Sequence, residues 1–158
     1  VSALFLLRSP GVDDPAAYWL PLDDALEAHR AEGVSPDEDA YARAVEAYRR
    51  HDPAEVVSIL HDRALPESAD PLKLLLASAL LKTGDAAGAR ATLEELLVVT
   101  LPQPYRDRAS WILAGALRGE GRAAEAQAIL RQLAAEPGEL QDAARRAQGK
   151  PTSENPAQ

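Results

Sequence analysis

Three stretches of this chain can be laid over one another, and this internal repetition limits its fold more than any other feature of the sequence. YARAVEAYRRHDPAEVVSIL (41–60), LLLASALLKTGDAAGARATL (74–93) and WILAGALRGEGRAAEAQAIL (111–130) each read as a helix, a two-residue polar break and a second helix. Ala44, Ala77 and Ala114 fall at equivalent places on the first helices, where a small side chain lets a partner helix approach closely. Val56, Ala89 and Ala126 play the corresponding part on the second helices, and Leu60, Leu93 and Leu130 stand where consecutive pairs need filling. Leu76 with Leu80, and Leu113 with Leu117, form apolar stripes at helical spacing. The breaks His51-Asp52, Gly84-Asp85 and Gly121-Arg122 supply the turns, two of them with a glycine suited to a left-handed helix end.

Composition points the same way. With one Phe, four Tyr and two Trp in 158 residues, the core must be built from Leu, Ala, Val and Ile, a mix that favours closely packed helices. Hydrophobic residues at 46% against 27% charged exclude disorder of the whole chain. A formal net charge of −8 repels phosphate backbones and anionic lipid surfaces, which disfavours nucleic acid and peripheral membrane partners. The absence of Cys removes disulfides, thiolate metal sites and a thiol nucleophile, and with them the usual clue to compartment. Cytoplasm and periplasm both stand.

Pro, Gly and acidic turns divide the chain into an N-terminal apolar arm and helix (1–33), a helical repeat domain (34–148) and a polar tail (149–158) expected to be disordered. The sequence starts at Val1 and contains no Met. Its opening run VSALFLL is much shorter than the roughly 20 residues that span a bilayer. Two readings of that run stand: an arm that packs on the domain, or the end of a membrane anchor that begins upstream of Val1. Residues 8–21 hold Ser-Pro, Asp-Asp-Pro and Leu-Pro steps, predicting an irregular arm with at most one helical turn and a concentrated apolar patch at Tyr18, Trp19 and Leu20. An unpaired helix is expected from Pro21 to His29 or Arg30, closed by Gly33, and Ser35-Pro36 opens the repeat domain. After Pro137-Gly138, a short helix from Leu140 to Ala147 is expected to cap the stack.

The repeats resemble the tetratricopeptide family, whose period is about 34 residues and whose signature places small residues at close helix crossings with large ones between them. Here the spacing is 33 residues from Asp52 to Asp85 and 37 from Gly84 to Gly121, the longer step absorbed by the linker 100–104. Leu76-Ala77 and Leu113-Ala114 match the family's large-small pair, whereas Arg43 departs from it, and Lys73 and Ser110 stand where the family often has a bulky aromatic. The resemblance covers roughly residues 37–136. It implies an all-α, right-handed α-solenoid of about three helix-turn-helix units, whose terminal helix must present a polar exterior.

Chemistry-bearing patterns are scarce. His29, His51 and His61 lack neighbours at metal-ligand spacing, and a surface or capping role is expected of them. Ser58, Ser78 and Ser110 lie within predicted helices with no nucleophile elbow, so packing serines are expected. The acidic groups Asp23-Asp24, Asp37-Glu38-Asp39 and Glu94-Glu95 fit helix first turns and solvated faces. Gly115, Gly119 and Gly121 do not follow a strand, which excludes a phosphate loop. No catalytic residue, cofactor or metal is expected, and the chain reads as a non-enzyme.

In the family, the concave face is lined mainly by the first helix of each pair. That geometry implies a partner-binding groove of Tyr41, Val45, Tyr48, Leu74, Ser78, Leu81, Arg108, Trp111, Gly115 and Arg118, apolar and aromatic with basic groups toward one end. Members that grip chaperone tails use a two-carboxylate clamp, but Tyr41, Val45, Leu75 and Ile112 occupy most of those positions here and only Arg108 suits the chemistry. The expected ligand is a protein or peptide partner presenting an amphipathic helix or extended apolar segment. Tyr18, Trp19 and Leu20 are the alternative occupant, filling the groove in cis. Similar repeats are also appended to membrane-anchored bacterial regulators, the second functional reading of this chain.

Overall fold

The computed structural model describes residues 15–20, 22, 38–63, 65, 70–97 and 101–148. After a 3-10 turn at Pro15–Tyr18, these residues form helices α1 (Glu38–Arg49), α2 (Pro53–Leu60), α3 (Asp70–Lys82), α4 (Ala86–Leu97), α5 (Tyr105–Gly119), α6 (Ala123–Ala135) and α7 (Gln141–Ala147), with no strand among them. The protein is all-α. None of the described helices is long and apolar enough to cross a membrane. The predicted helix before Gly33 and the predicted disordered tail lie outside the described residues.

The three polar breaks form one kind of turn. His51, Gly84 and Gly121 have φ of 58°, 94° and 78°, the left-handed conformation that ends a helix. In each turn the N–H of that residue donates to a carbonyl three back (Tyr48, Leu81 and Arg118, at 3.0, 3.2 and 3.0 Å). The next N–H, from Asp52, Asp85 and Arg122, donates to a carbonyl five back (Ala47, Leu80 and Leu117, at 2.9, 2.9 and 2.8 Å). This is the Schellman pair, and it satisfies carbonyls that a helix end leaves unbonded.

The residue that completes each turn also opens the next helix. The Asp52 carboxylate accepts from the Glu55 N–H at 3.1 Å and Asp85 accepts from the Gly88 N–H at 2.9 Å, so both cap a helix N-terminus. Arg122 makes no such cap, and instead holds Glu125 through a forked pair at 2.7 Å. That pairing keeps the Glu125 carboxyl below its ordinary range.

These turns fold each first helix back on its second, and the repeat positions lie in the core. Ala44, Ala77, Ala114, Val56, Ala89, Ala126, Leu60, Leu93 and Leu130 are all wholly buried, as the alignment requires. Every helix packs on its chain neighbours. The first helices also meet each other, α1 with α3 and α3 with α5. Arg90 on α4 ties successive pairs together, donating to Glu120 at the end of α5 (2.7 Å) and to Glu94 on its own helix (2.9 Å). These bonds, Glu120 first, raise the guanidinium's hold on its proton.

Helix α7 closes the described chain against α6. It buries Ala144 and Ala147 while Asp142, Arg145 and Arg146 stay exposed. Arg118 of α5 donates to the Ala147 carbonyl at 2.9 Å, placing a cation at the negative end of α7.

Replacing Gly84 or Gly121 by Ala is expected to destabilise the protein by about 1 kcal/mol each in urea unfolding. A Cβ at either site meets no atom within 4 Å, so the cost is that of the left-handed backbone alone. Asp85→Ala is expected to cost about 1 kcal/mol through its lost cap.

Candidate functional site

The residues predicted to line a groove occupy equivalent turns of α1, α3 and α5: Tyr41, Leu74 and Trp111, then Val45, Ser78 and Gly115, then Tyr48, Leu81 and Arg118. Since α1 touches α3 and α3 touches α5, the three rows form one continuous face. Tyr41, Tyr48, Leu74, Ser78, Leu81, Trp111 and Gly115 are buried, and Val45 and Arg118 are half-buried. Much of that face is covered by the arm, whose 3-10 turn packs on both α3 and α5.

Gly115 sets how closely the arm approaches. A Cβ there would lie 2.6 Å from Cγ of Tyr18, 2.7 Å from its Cβ and 2.8 Å from Cδ2 of Leu81, distances real Cβ atoms do not reach. In the space so left, the Tyr18 side chain is 1% exposed and its ring lies 4.7 Å from that of Trp111, tilted by 41°. The Arg118 guanidinium sits 6.0 Å from the Tyr18 ring centre, at the outer limit of a cation–π contact. The buried Trp111 indole N–H has no hydrogen-bond partner among the described residues.

Trp19 and Leu20 meet the other end of the face. The Trp19 ring stacks on Tyr48 at 4.1 Å with 15° between planes, and lies 5.8 Å from His51. Such aromatic pairs add about 0.5–1.5 kcal/mol beyond the area they bury. The Tyr48 hydroxyl donates to the Leu20 main-chain carbonyl and shares a 3.0 Å hydrogen bond with the Ser78 hydroxyl. Ser78 therefore orients the group that holds the arm's backbone. Leu22, two residues on, is wholly buried.

The basic end of the expected groove is built differently from the family-based expectation. Arg108 is committed to Glu139, with bonds of 2.6 and 3.1 Å in a forked pair that joins α5 to the turn before α7. Its side chain is only 8% exposed. Arg118 serves the end of α7 and the Tyr18 ring.

Other candidates resolve plainly. His51 is a turn residue and His61 follows α2, both exposed; His29 lies outside the described residues. Ser78 is buried and Ser110 half-buried, but Ser58 is exposed and packs no helix crossing. No cluster of three or more His, Asp or Glu placed to hold a metal ion occurs among the described residues.

A second concavity of about 420 Å³ was not foreseen. It lies between the end of α2, α3 and α4, with Leu65, Leu76 and Leu80 inside and His61, Arg63, Lys73 and Glu95 around them. Its lining comes from three elements whose meeting no local pattern announces. No protein-family model matches the chain, and neither does any curated protein or solved structure.

Tyr18→Ala is expected to cost about 3–5 kcal/mol, the range for emptying a large buried aromatic site. Gly115→Ala should dislodge the Tyr18 ring. Hydrogen exchange is expected to show faster exchange in peptides spanning 15–22 and 111–118 for both variants, with 123–135 unchanged.

Proposed function

We propose that this protein is a non-catalytic interaction module, a right-handed solenoid of three helix-turn-helix units similar to the tetratricopeptide family. It would take a segment of another polypeptide on the face formed by α1, α3 and α5. Three like turns at 51–52, 84–85 and 121–122, together with the contacts of α1 with α3 and α3 with α5, support the solenoid.

The observation that carries the binding function is the arm itself. Its described residues Tyr18, Trp19, Leu20 and Leu22 are in no α-helix, yet the face holds them by ring stacking, by a pocket over Gly115 and by a hydrogen bond to main chain. These are the means by which a rigid helical surface takes a peptide: aromatic anchors supply energy, and a donor to a backbone carbonyl fixes direction. A foreign segment uses the same means once the arm yields.

The test is hydrogen exchange on a purified complex of the full chain with a partner it recovers. Protection is expected in peptides covering 41–48 and 111–118. Trp111→Ala or Tyr48→Ala should weaken the complex by roughly 30-fold or more, as for residues at the centre of an interface. Exposed Ser58 on α2 provides the control, and Ser58→Ala should leave affinity unchanged. Protection confined to α2, α4 and α6 would refute the assignment.

A further inference from the structure

We infer that Tyr18 to Leu22 act as a tethered competitor for the α1, α3 and α5 face. The partner that displaces them carries the same chemistry in a short segment: two adjacent aromatic residues and, three positions after the second, a leucine, together with a hydrogen-bond acceptor for Trp111. This inference rests on the interaction function proposed above and specifies its ligand.

The contacts that hold the arm are local to a five-residue run. Tyr18 fills the space over Gly115 against Trp111, Trp19 stacks on Tyr48, the Leu20 carbonyl accepts from the Tyr48 hydroxyl, and Leu22 is wholly buried. None of these requires continuity with α1, so a separate chain bearing the same run makes the same contacts. The Gly115 site selects an aromatic ring by size. Tyr48, oriented by Ser78, reads main chain and so accepts any residue at the Leu20 position whose carbonyl lies there.

The arm leaves one group unused. Trp111 is buried, and its indole N–H has no hydrogen-bond partner among the described residues. A buried donor left unmade weakens a contact by roughly 10- to 100-fold, so a ligand that brings an acceptor gains that factor over the arm. The gain matters because a segment of the same chain competes at an effective concentration on the order of a millimolar. The arm is thus strong enough to cover the face and imperfect enough to be displaced.

The experiment uses the full chain and a fluorescein-labelled peptide PAAYWLPLDD, the sequence of residues 15–24, with anisotropy as readout. The Y18A/W19A double variant is expected to bind the peptide at least tenfold more tightly than the unaltered chain. Replacing both aromatics of the peptide by Ala should abolish binding. Should the double variant lose its helical circular dichroism, the Trp19→Ala chain, altered only at a half-buried position, makes the same comparison with a smaller difference.

A peptide series with Gln or Asn at each position from 15 to 22 then tests the acceptor. At least one member should gain about tenfold on the double variant, and the gain should vanish when Trp111→Phe is added. Equal binding to altered and unaltered chains, or no binding to the altered chain, overturns the inference. So does a peptide series without any gain. If sedimentation shows the unaltered chain to be a dimer that Y18A/W19A dissociates, a second copy's arm is the occupant and the inference of a foreign partner fails. Absence of peptide binding while a partner still protects 41–48 and 111–118 sinks this inference alone. Protection elsewhere sinks the interaction face as well.

Discussion

The helix pairs of this protein depend on a two-residue turn in which one residue ends a helix and the next both finishes that ending and begins its partner. Because Asp52, Asp85 and Arg122 donate their N–H groups backward to Ala47, Leu80 and Leu117, only residues 50–52, 83–85 and 120–122 separate the helices. So tight a reversal brings the two axes close near the turn, and only small side chains fit where they cross. Ala44, Ala77 and Ala114 on the first helices and Val56, Ala89 and Ala126 on the second suit that demand, and all are wholly buried. The turn therefore dictates the residues at the crossing, and the crossing leaves the first helices α1, α3 and α5 adjacent on one face.

One turn differs in a way that bears on the arm. Gly84 and Gly121 adopt positive φ without steric cost, but His51 adopts φ 58° with a side chain, which disfavours the conformation by roughly 1 kcal/mol. His51 is also the turn residue whose ring lies beside Trp19, which in turn stacks on Tyr48 three residues before it. The local backbone cost thus sits where the turn meets the arm. Tyr48 links three parts of the molecule through one side chain: its ring takes Trp19, while its hydroxyl serves both Ser78 of α3 and the Leu20 carbonyl.

Much of this is legible in the sequence. The alignment located the turns and the wholly buried crossing positions because both follow from local pattern: a polar pair between helical stripes, and a small residue at a fixed offset from it. The arm was legible as a patch, Tyr18 to Leu20, and as one of two occupants of the face. Its register was not. A signal for it did exist in the aligned column Val45, Ser78 and Gly115, where shrinking side chains mark the place of closest approach. Arg108 with Glu139 and Arg90 with Glu120 were out of reach of sequence reasoning, since each pair spans about thirty residues and depends on how successive helices stack. The same holds for the concavity between α2, α3 and α4.

The pairings of Arg108 and Arg118 decide what the α1, α3 and α5 face presents. Had Arg108 and Arg118 stood open at its end, a chain of net charge −8 would carry a local cationic site suited to a carboxylate. Instead Arg108 is held by the Glu139 carboxylate and Arg118 by the end of α7 and the Tyr18 ring. What the face offers is aromatic surface, the space over Gly115, a hydroxyl aimed at main chain and the buried Trp111 N–H. Each of these gains strength from the exclusion of water and little from long-range charge. In the binding role proposed above, selection would fall to ring shape and to the position of hydrogen-bond acceptors, and the arm meets the first of these requirements more completely than the second.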